Sequence, residues 1–168
     1  MLELLDKAAL LDEVLSRLRA QLEEVTRAQK LTQAGVTHED NRAEGDKDMR
    51  STEASYVARG QALRVEQLRE EVREVESVRI RRFGEESPLA WGALLTLNAG
   101  DGTVSHHLLL PAGAGLSLTR LVNAEEFIIS VVSTRSPLGQ VLVGARVGEP
   151  VSLDRDDMSR EWEVAAVA

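Results

Sequence analysis

His38-Glu-Asp-Asn-Arg-Ala-Glu-Gly-Asp-Lys-Asp48 is a polar break between two long heptad patterns. It holds five carboxylates, Glu39, Asp40, Glu44, Asp46 and Asp48, against two cations, Arg42 and Lys47. Before it, Leu4, Leu11, Leu18 and Val25 recur every seven residues, and Ala8, Leu15 and Leu22 recur at an offset of four. That is an a/d seam. The pattern fades toward Gly35, where a helix stop is expected. After the break, Ala54, Ala58, Gln61, Val65, Leu68, Val72 and Val75 alternate steps of four and three. The seams predict helices over residues 4–33 and 50–76, each roughly 40–45 Å long at 1.5 Å per residue. Leu18 and Leu22 should pack near Val65 and Leu68. A coiled coil between two chains would use the same pattern. The matched lengths and the short polar link favour an antiparallel hairpin within one chain, with an acidic tip over about 36–49.

The chain has 168 residues, enough for one ordinary domain or two small ones. It is 43% hydrophobic but only 3% aromatic, so its core must be aliphatic. A net charge of −8 argues against a general nucleic-acid coat protein and leaves room for a local basic patch. There is no Cys, which excludes disulfides, thiolate metal sites and Cys nucleophiles and fits a cytoplasmic location. No apolar run approaches the roughly 18 residues of a membrane-spanning helix, so no membrane partner is expected. The first residues lack the basic region of a signal peptide.

From Val78 the period changes. Val78-Arg-Ile-Arg-Arg-Phe83 alternates like a strand, as do Trp91–Leu97 and Thr103–Leu110. Pro111–Gly115 reads as a loop, and Glu126–Ser133 is the strongest strand by β-branched content. In Ser136-Pro-Leu-Gly-Gln-Val-Leu-Val-Gly144, Ser at the N-cap, Pro at N1 and Gly past the last turn predict a short helix. Strands over 149–153 and 160–167 follow. The fold class is α+β: a helical hairpin over 1–77, then an antiparallel sheet domain of five or six strands with one short helix over 78–168.

Other chemistry-bearing residues read more blandly. His106 and His107 are adjacent on a strand and so face opposite sides, with no third metal ligand in evidence. Arg79, Arg81 and Arg82 suit an edge strand that carries charge against aggregation, or a contact to RNA or a protein. Ser136 has no His/Asp partner and reads as a cap. No metal is expected to be bound by the isolated protein.

The hairpin with its acidic tip, the Ser136–Gly144 segment and the downstream Arg146-Val-Gly-Glu-Pro-Val151 together resemble the Gre family of bacterial transcript-cleavage factors. Gly45-Asp-Lys-Asp48 and Glu53-Ala-Ser-Tyr-Val-Ala-Arg59 are similar to that family's tip and second-helix start. The resemblance implies an FKBP-like sheet domain that docks on RNA polymerase, with Ser136, Pro137 and Leu138 in the contact. It implies a hairpin that enters the polymerase secondary channel and reaches the RNA 3′ end. Asp46, Asp48 and Glu44 would there share a Mg²⁺ ion with the polymerase active site and stimulate cleavage of backtracked RNA. Such a protein has no cofactor of its own, is an accessory factor rather than an enzyme, and acts as a monomer. The family pattern has an acidic pair three residues apart. Here Asp46 and Asp48 are two apart, so a channel binder that inhibits or regulates the polymerase without cleavage stays open. An FKBP-like isomerase or chaperone domain with a coiled-coil arm, and a coiled-coil adaptor without chemistry, also stay open.

Overall fold

The computed structural model describes the backbone of residues 2–40, 47–155 and 158–168, and side chains outside 35–54 and 155–159. Two compact units emerge: Met1–Leu15 with Glu74–Ala168, and Ser16–Arg73.

A 3₁₀ turn over Leu2–Leu4 precedes the first helix, α1 (Lys7–Asp40). Asp6 starts that helix rather than Leu4: its Oδ1 accepts hydrogen bonds from the amides of Ala8 (2.9 Å) and Ala9 (3.1 Å). The second helix, α2, spans Lys47–Glu76. Both heptad patterns thus become helices joined as a hairpin. The expected stop at Gly35 is not used, and α1 runs on to Asp40. One interior glycine costs about 1 kcal/mol relative to Ala, which a helix of 34 residues absorbs.

In the Ser16–Arg73 unit the seam is visible as burial. Leu18, Val65, Leu68 and Val72 are buried and Leu22 is half-buried. Gln61 occupies a seam position, and its Oε1 is buried without a hydrogen-bond partner. Outward faces carry Arg69–Glu66 and Arg73–Glu70 pairs one turn apart.

The other unit is built on a six-stranded sheet: β1 (Leu94–Ala99), β2 (Val104–Leu110), β3 (Ser117–Val122), β4 (Glu125–Ser133), β5 (Pro150–Arg155) and β6 (Met158–Val167). The spatial order is β3-β4-β2-β1-β6-β5. A short helix, α3 (Pro137–Leu142), follows β4. Four of the five strand pairs are antiparallel, as expected, but β2 and β4 are parallel, so the sheet is mixed. The cause is β3, which the sequence reading passed over. It adds one reversal between β2 and β4 and so aligns their directions.

A two-residue turn, Asn123-Ala124, joins β3 to β4 with φ of 51° and 68°. Val122 and Glu125 on either side are paired across the hairpin. Positive φ at both central residues is the type I′ turn whose twist suits a hairpin. Asn tolerates this region, but Ala brings its Cβ against the backbone. Residues 78–83, expected as a strand, pair with no strand among the described residues. Only the two ends of the segment, Val78 and Phe83, are buried, and Ile80 and the arginines between them are exposed, so its burial does not alternate.

Alternation along the strands makes two apolar layers. One face gathers Leu95, Leu97, Leu109, Val132, Val151 and Val164 with Phe83, Leu89, Leu142 and Ala145. The other carries the buried Leu94, Leu108, Leu118, Ile129 and Val131. The first turns of α1 belong to this unit and lie on that second face. A Cβ placed on Gly113 (φ +86°) would lie 3.2 Å from Val14 Cγ1 and 3.5 Å from Val131 Cγ1. Arg120 on β3 reaches α1 at Glu13 (2.7 Å) and at the Ala9 carbonyl (3.4 Å). Buried Leu10 and Val14 lie off the heptad seam, which is why the a/d reading missed them.

The Asn123-Ala124 turn sets a stability test. Ala124→Gly removes the Cβ from a left-handed position and should stabilise the protein by about 1 kcal/mol. Urea unfolding should show a higher midpoint at unchanged slope.

Candidate functional site

Two groups of candidate residues lie far apart in sequence. Glu44 and Asp46 lie outside the described residues. Asp48 is the second residue of α2, and its side chain lies outside them as well. What the structure supplies is their setting: the six residues 41–46 link the end of α1 to the start of α2.

The second group, Ser136, Pro137 and Leu138, is fully described. Ser136 is the N-cap of α3, and its Oγ accepts from the Gly139 amide at 3.1 Å. The same hydroxyl donates to the Ser133 carbonyl at 2.7 Å, and the Ser136 amide donates to that carbonyl at 2.9 Å. Ser133, buried at the end of β4, turns its own hydroxyl to the Pro111 carbonyl at 2.9 Å. Ser136 is therefore half-buried and occupied in the turn. Leu138 is half-buried and packs on the aliphatic layer. Pro137, at the first helical position, is exposed.

Gly139 explains the glycine of this segment. A Cβ there would fall 1.9 Å from the Ser133 carbonyl oxygen and 2.7 Å from its carbon. Both are backbone atoms that cannot swing aside. The chain can turn this sharply from β4 into α3 only without a side chain at Gly139.

Around Pro137 the surface is mixed. Arg135 is exposed and pairs with Glu74 at the end of α2. Trp91 holds its indole N–H toward Thr134 Oγ1 at 3.3 Å and keeps 47% of its surface in solvent. The sequence reading took Trp91 as a strand residue, whereas β1 begins three residues later at Leu94. Its place before a positive-φ glycine, Gly92, is a turn signal that the reading did not use.

The two histidines fall on opposite faces, as alternation requires. His106 Nδ1 lies 3.0 Å from Thr96 Oγ1, and its ring stands 5.2 Å from that of Phe127. His107 Nε2 lies 2.9 Å from Ser105 Oγ, while its Nδ1 is buried without a partner. Burial first, and then the neighbouring His106, push the His107 imidazole down to about 4. Among the described residues no three His, Asp or Glu side chains gather as a metal site. The aromatic residues of the sheet unit do not gather into one wall. Phe83 and Trp162 belong to one layer, Phe127 faces His106 on the other, and Trp91 is exposed. No described helix is long and apolar enough to cross a membrane.

Comparison with known proteins finds no matching family model and no matching curated protein. Solved structures do match. The transcription factor Gfh1 is 22% identical, with a TM-score of 0.38, over 91% of this chain and 92% of its own. Gfh1 of Thermus aquaticus has the same identity and TM-score, over 90% and 92%. The GreA factor homolog 1 of Thermus thermophilus is 22% identical, with a TM-score of 0.37, over 92% and 94%.

Two measurements test this local chemistry. Gly139→Ala should cost more than about 2 kcal/mol, since the clash is with backbone; a melting temperature equal to wild type would contradict the close approach. For His107 the sign follows from its low folded pKa. Between pH 6.5 and about 4 the unfolded chain takes up a proton that the folded chain refuses. Stability should therefore fall as pH drops through that window, by up to roughly 3 kcal/mol. His107→Gln should flatten the profile measured by urea unfolding at successive pH values.

Proposed function

We propose that this protein is a transcription elongation factor that binds RNA polymerase and places the acidic tip of its hairpin in the secondary channel. One observation carries the reading: two helices of 34 and 30 residues form one hairpin, with Glu44 and Asp46 in the sequence that links them and Asp48 at the start of α2. At 1.5 Å per residue such helices are about 45–50 Å long. A rod of that length, about two helices across, suits a narrow channel better than it suits a flat surface. The Pro137 surface, with Leu138 behind it and Arg135 beside it, is the proposed docking contact of the FKBP-like sheet unit. Ser136 acts there as a positioning residue, because its hydroxyl is already committed to the turn.

Asp46 and Asp48, with Glu44 as a third candidate, are the proposed working groups. Carboxylate oxygens are good ligands for Mg²⁺, a hard cation that keeps several waters and is commonly held by one or two carboxylates. A second metal at a phosphoryl-transfer site neutralises charge on the attacking and leaving oxygens. The chain's contribution would be to hold its carboxylates where they raise the occupancy of that ion and orient water toward the backtracked RNA. On this reading the protein is an accessory factor without a cofactor of its own and acts as a monomer.

The test uses stalled elongation complexes of the protein's own polymerase. Wild-type protein should accelerate cleavage of backtracked RNA. Asp46→Asn with Asp48→Asn should remove at least nine-tenths of the stimulation, because neutral amides bind Mg²⁺ poorly. Polymerase affinity should stay within about twofold. Slower cleavage on adding the wild-type protein would instead select inhibition. Full stimulation by the double variant would move the metal role away from these two residues.

A further inference from the structure

The seam of the Ser16–Arg73 unit is covered unevenly along its length. Leu18 on α1 and Val65, Leu68 and Val72 on α2 are buried. Among the described side chains of 19–34 and 55–64, none is buried. Leu22, Val25, Ala58 and Gln61 continue the two seams there and are only half-buried. The larger apolar side chains of these stretches lie outside: Leu31 is 69% exposed, Tyr56 71% and Leu63 60%. Helices of a hairpin are held mainly by the apolar surface they cover, so the near length of this one is held firmly and the far length weakly.

The change falls at Gly60 and Gln61, and both weaken α2 at the same point. Gln61 Oε1 is buried without a hydrogen-bond partner, and a buried acceptor left unpaired loses its hydration for nothing. Gly60 lies in the interior of the helix. A Cβ placed on it would meet nothing within 4 Å, and its φ is not left-handed, so neither close packing nor a turn requires glycine there. What remains is the loss of helix stability that glycine brings to a helix interior.

We infer that this hairpin opens in two stages: residues 22–33 of α1 and 55–61 of α2 separate as one cooperative unit, while Leu18, Val65, Leu68 and Val72 keep the near length paired. Once apart, each arm must hold its own hydrogen bonds, and isolated helices shorter than about 12–15 residues are marginal in water. Separation and fraying therefore go together. The near length is a fixed base, and the far length is a segment whose order depends on what surrounds it. A polar seam residue can also serve to fix the register of two helices. Substitution separates the two roles, because an apolar residue at Gln61 strengthens a weak point but blurs a register. The opening belongs to the isolated chain and requires neither polymerase nor metal.

Native-state hydrogen exchange of the full chain tests it, read by mass spectrometry on peptides from the two lengths at rising urea and corrected for intrinsic rates. Amides of 22–33 and 55–61 should exchange together, roughly 100-fold faster than those of 65–72, and with a weaker dependence on urea. Val72→Ala thins the near length and should speed exchange of 65–72 by about fivefold or more. Exchange of 22–33 and 55–61 should stay unchanged in that variant, because the far length opens while the near length is intact. Gly60→Ala with Gln61→Leu should slow exchange of the far length by about tenfold or more, and this stabilised variant decides the matter if Val72→Ala fails to fold. Equal protection of the two lengths overturns the inference. So does far-length exchange that Val72→Ala accelerates as much as near-length exchange, and so does a double variant whose far length exchanges no more slowly than wild type.

Discussion

The approach of Gly139 to the Ser133 carbonyl organises the sheet unit. It lets the chain reverse at the end of β4 with no room lost to a side chain. The reversal lays Leu138 and Leu142 on the layer formed by Leu95, Leu109 and Val132. It also leaves Pro137 outside, at the start of a helix too short to be stable on its own. The hydroxyl of Ser136 closes the turn from both sides, as acceptor for one backbone group and donor to another. Buried polar groups cost little when paired in this way and much when they are not.

How much of this was legible in the residues depended on the range of the signal. Heptads repeat over many residues, so Leu18, Val65, Leu68 and Val72 identified the hairpin seam directly. The Ser136-Pro137 cap was equally plain, because a cap is local chemistry. Strands proved harder. Val78–Phe83 alternates in sequence, yet without a partner strand the alternation is not realised: Val78 and Phe83 are buried and Ile80 between them is exposed. Ser117–Val122 was passed over because it follows a glycine-rich loop and exposes Leu121 on a sheet edge. Missing that one strand was enough to misjudge the direction of β2 against β4. Leu10 and Val14 were invisible for another reason: α1 buries two stripes, and a seven-residue pattern describes only one.

Charge is sorted by region in this molecule. The helix faces mix signs, and their arginines sit one or two turns from a glutamate. The stretch from Glu39 to Asp48 is rich in acid, while residues 79–82 are rich in arginine. A protein so acidic overall keeps long-range attraction to polyanions low, so any contact with phosphate must be local and short-ranged. The carboxylates of residues 39–48 answer to a different chemistry, in which a metal ion rather than a side chain supplies the positive charge.

The order of strands in the sheet has a consequence for how the chain acquires its structure. The β3–β4 hairpin pairs residues only a few positions apart, and the hairpin seam closes over a short link. The pairing of β1 with β6 joins Leu95 to Val167, 72 residues away in sequence. Closing so long a loop costs entropy before any contact repays it, and folding rates fall as such distant contacts accumulate. The parallel β2–β4 pair waits on β3 in the same way. The helical arm and the β3–β4 corner should therefore form early, and the centre of the sheet late. Until β6 arrives, the inner edge of β1 stays open to pairing with another chain.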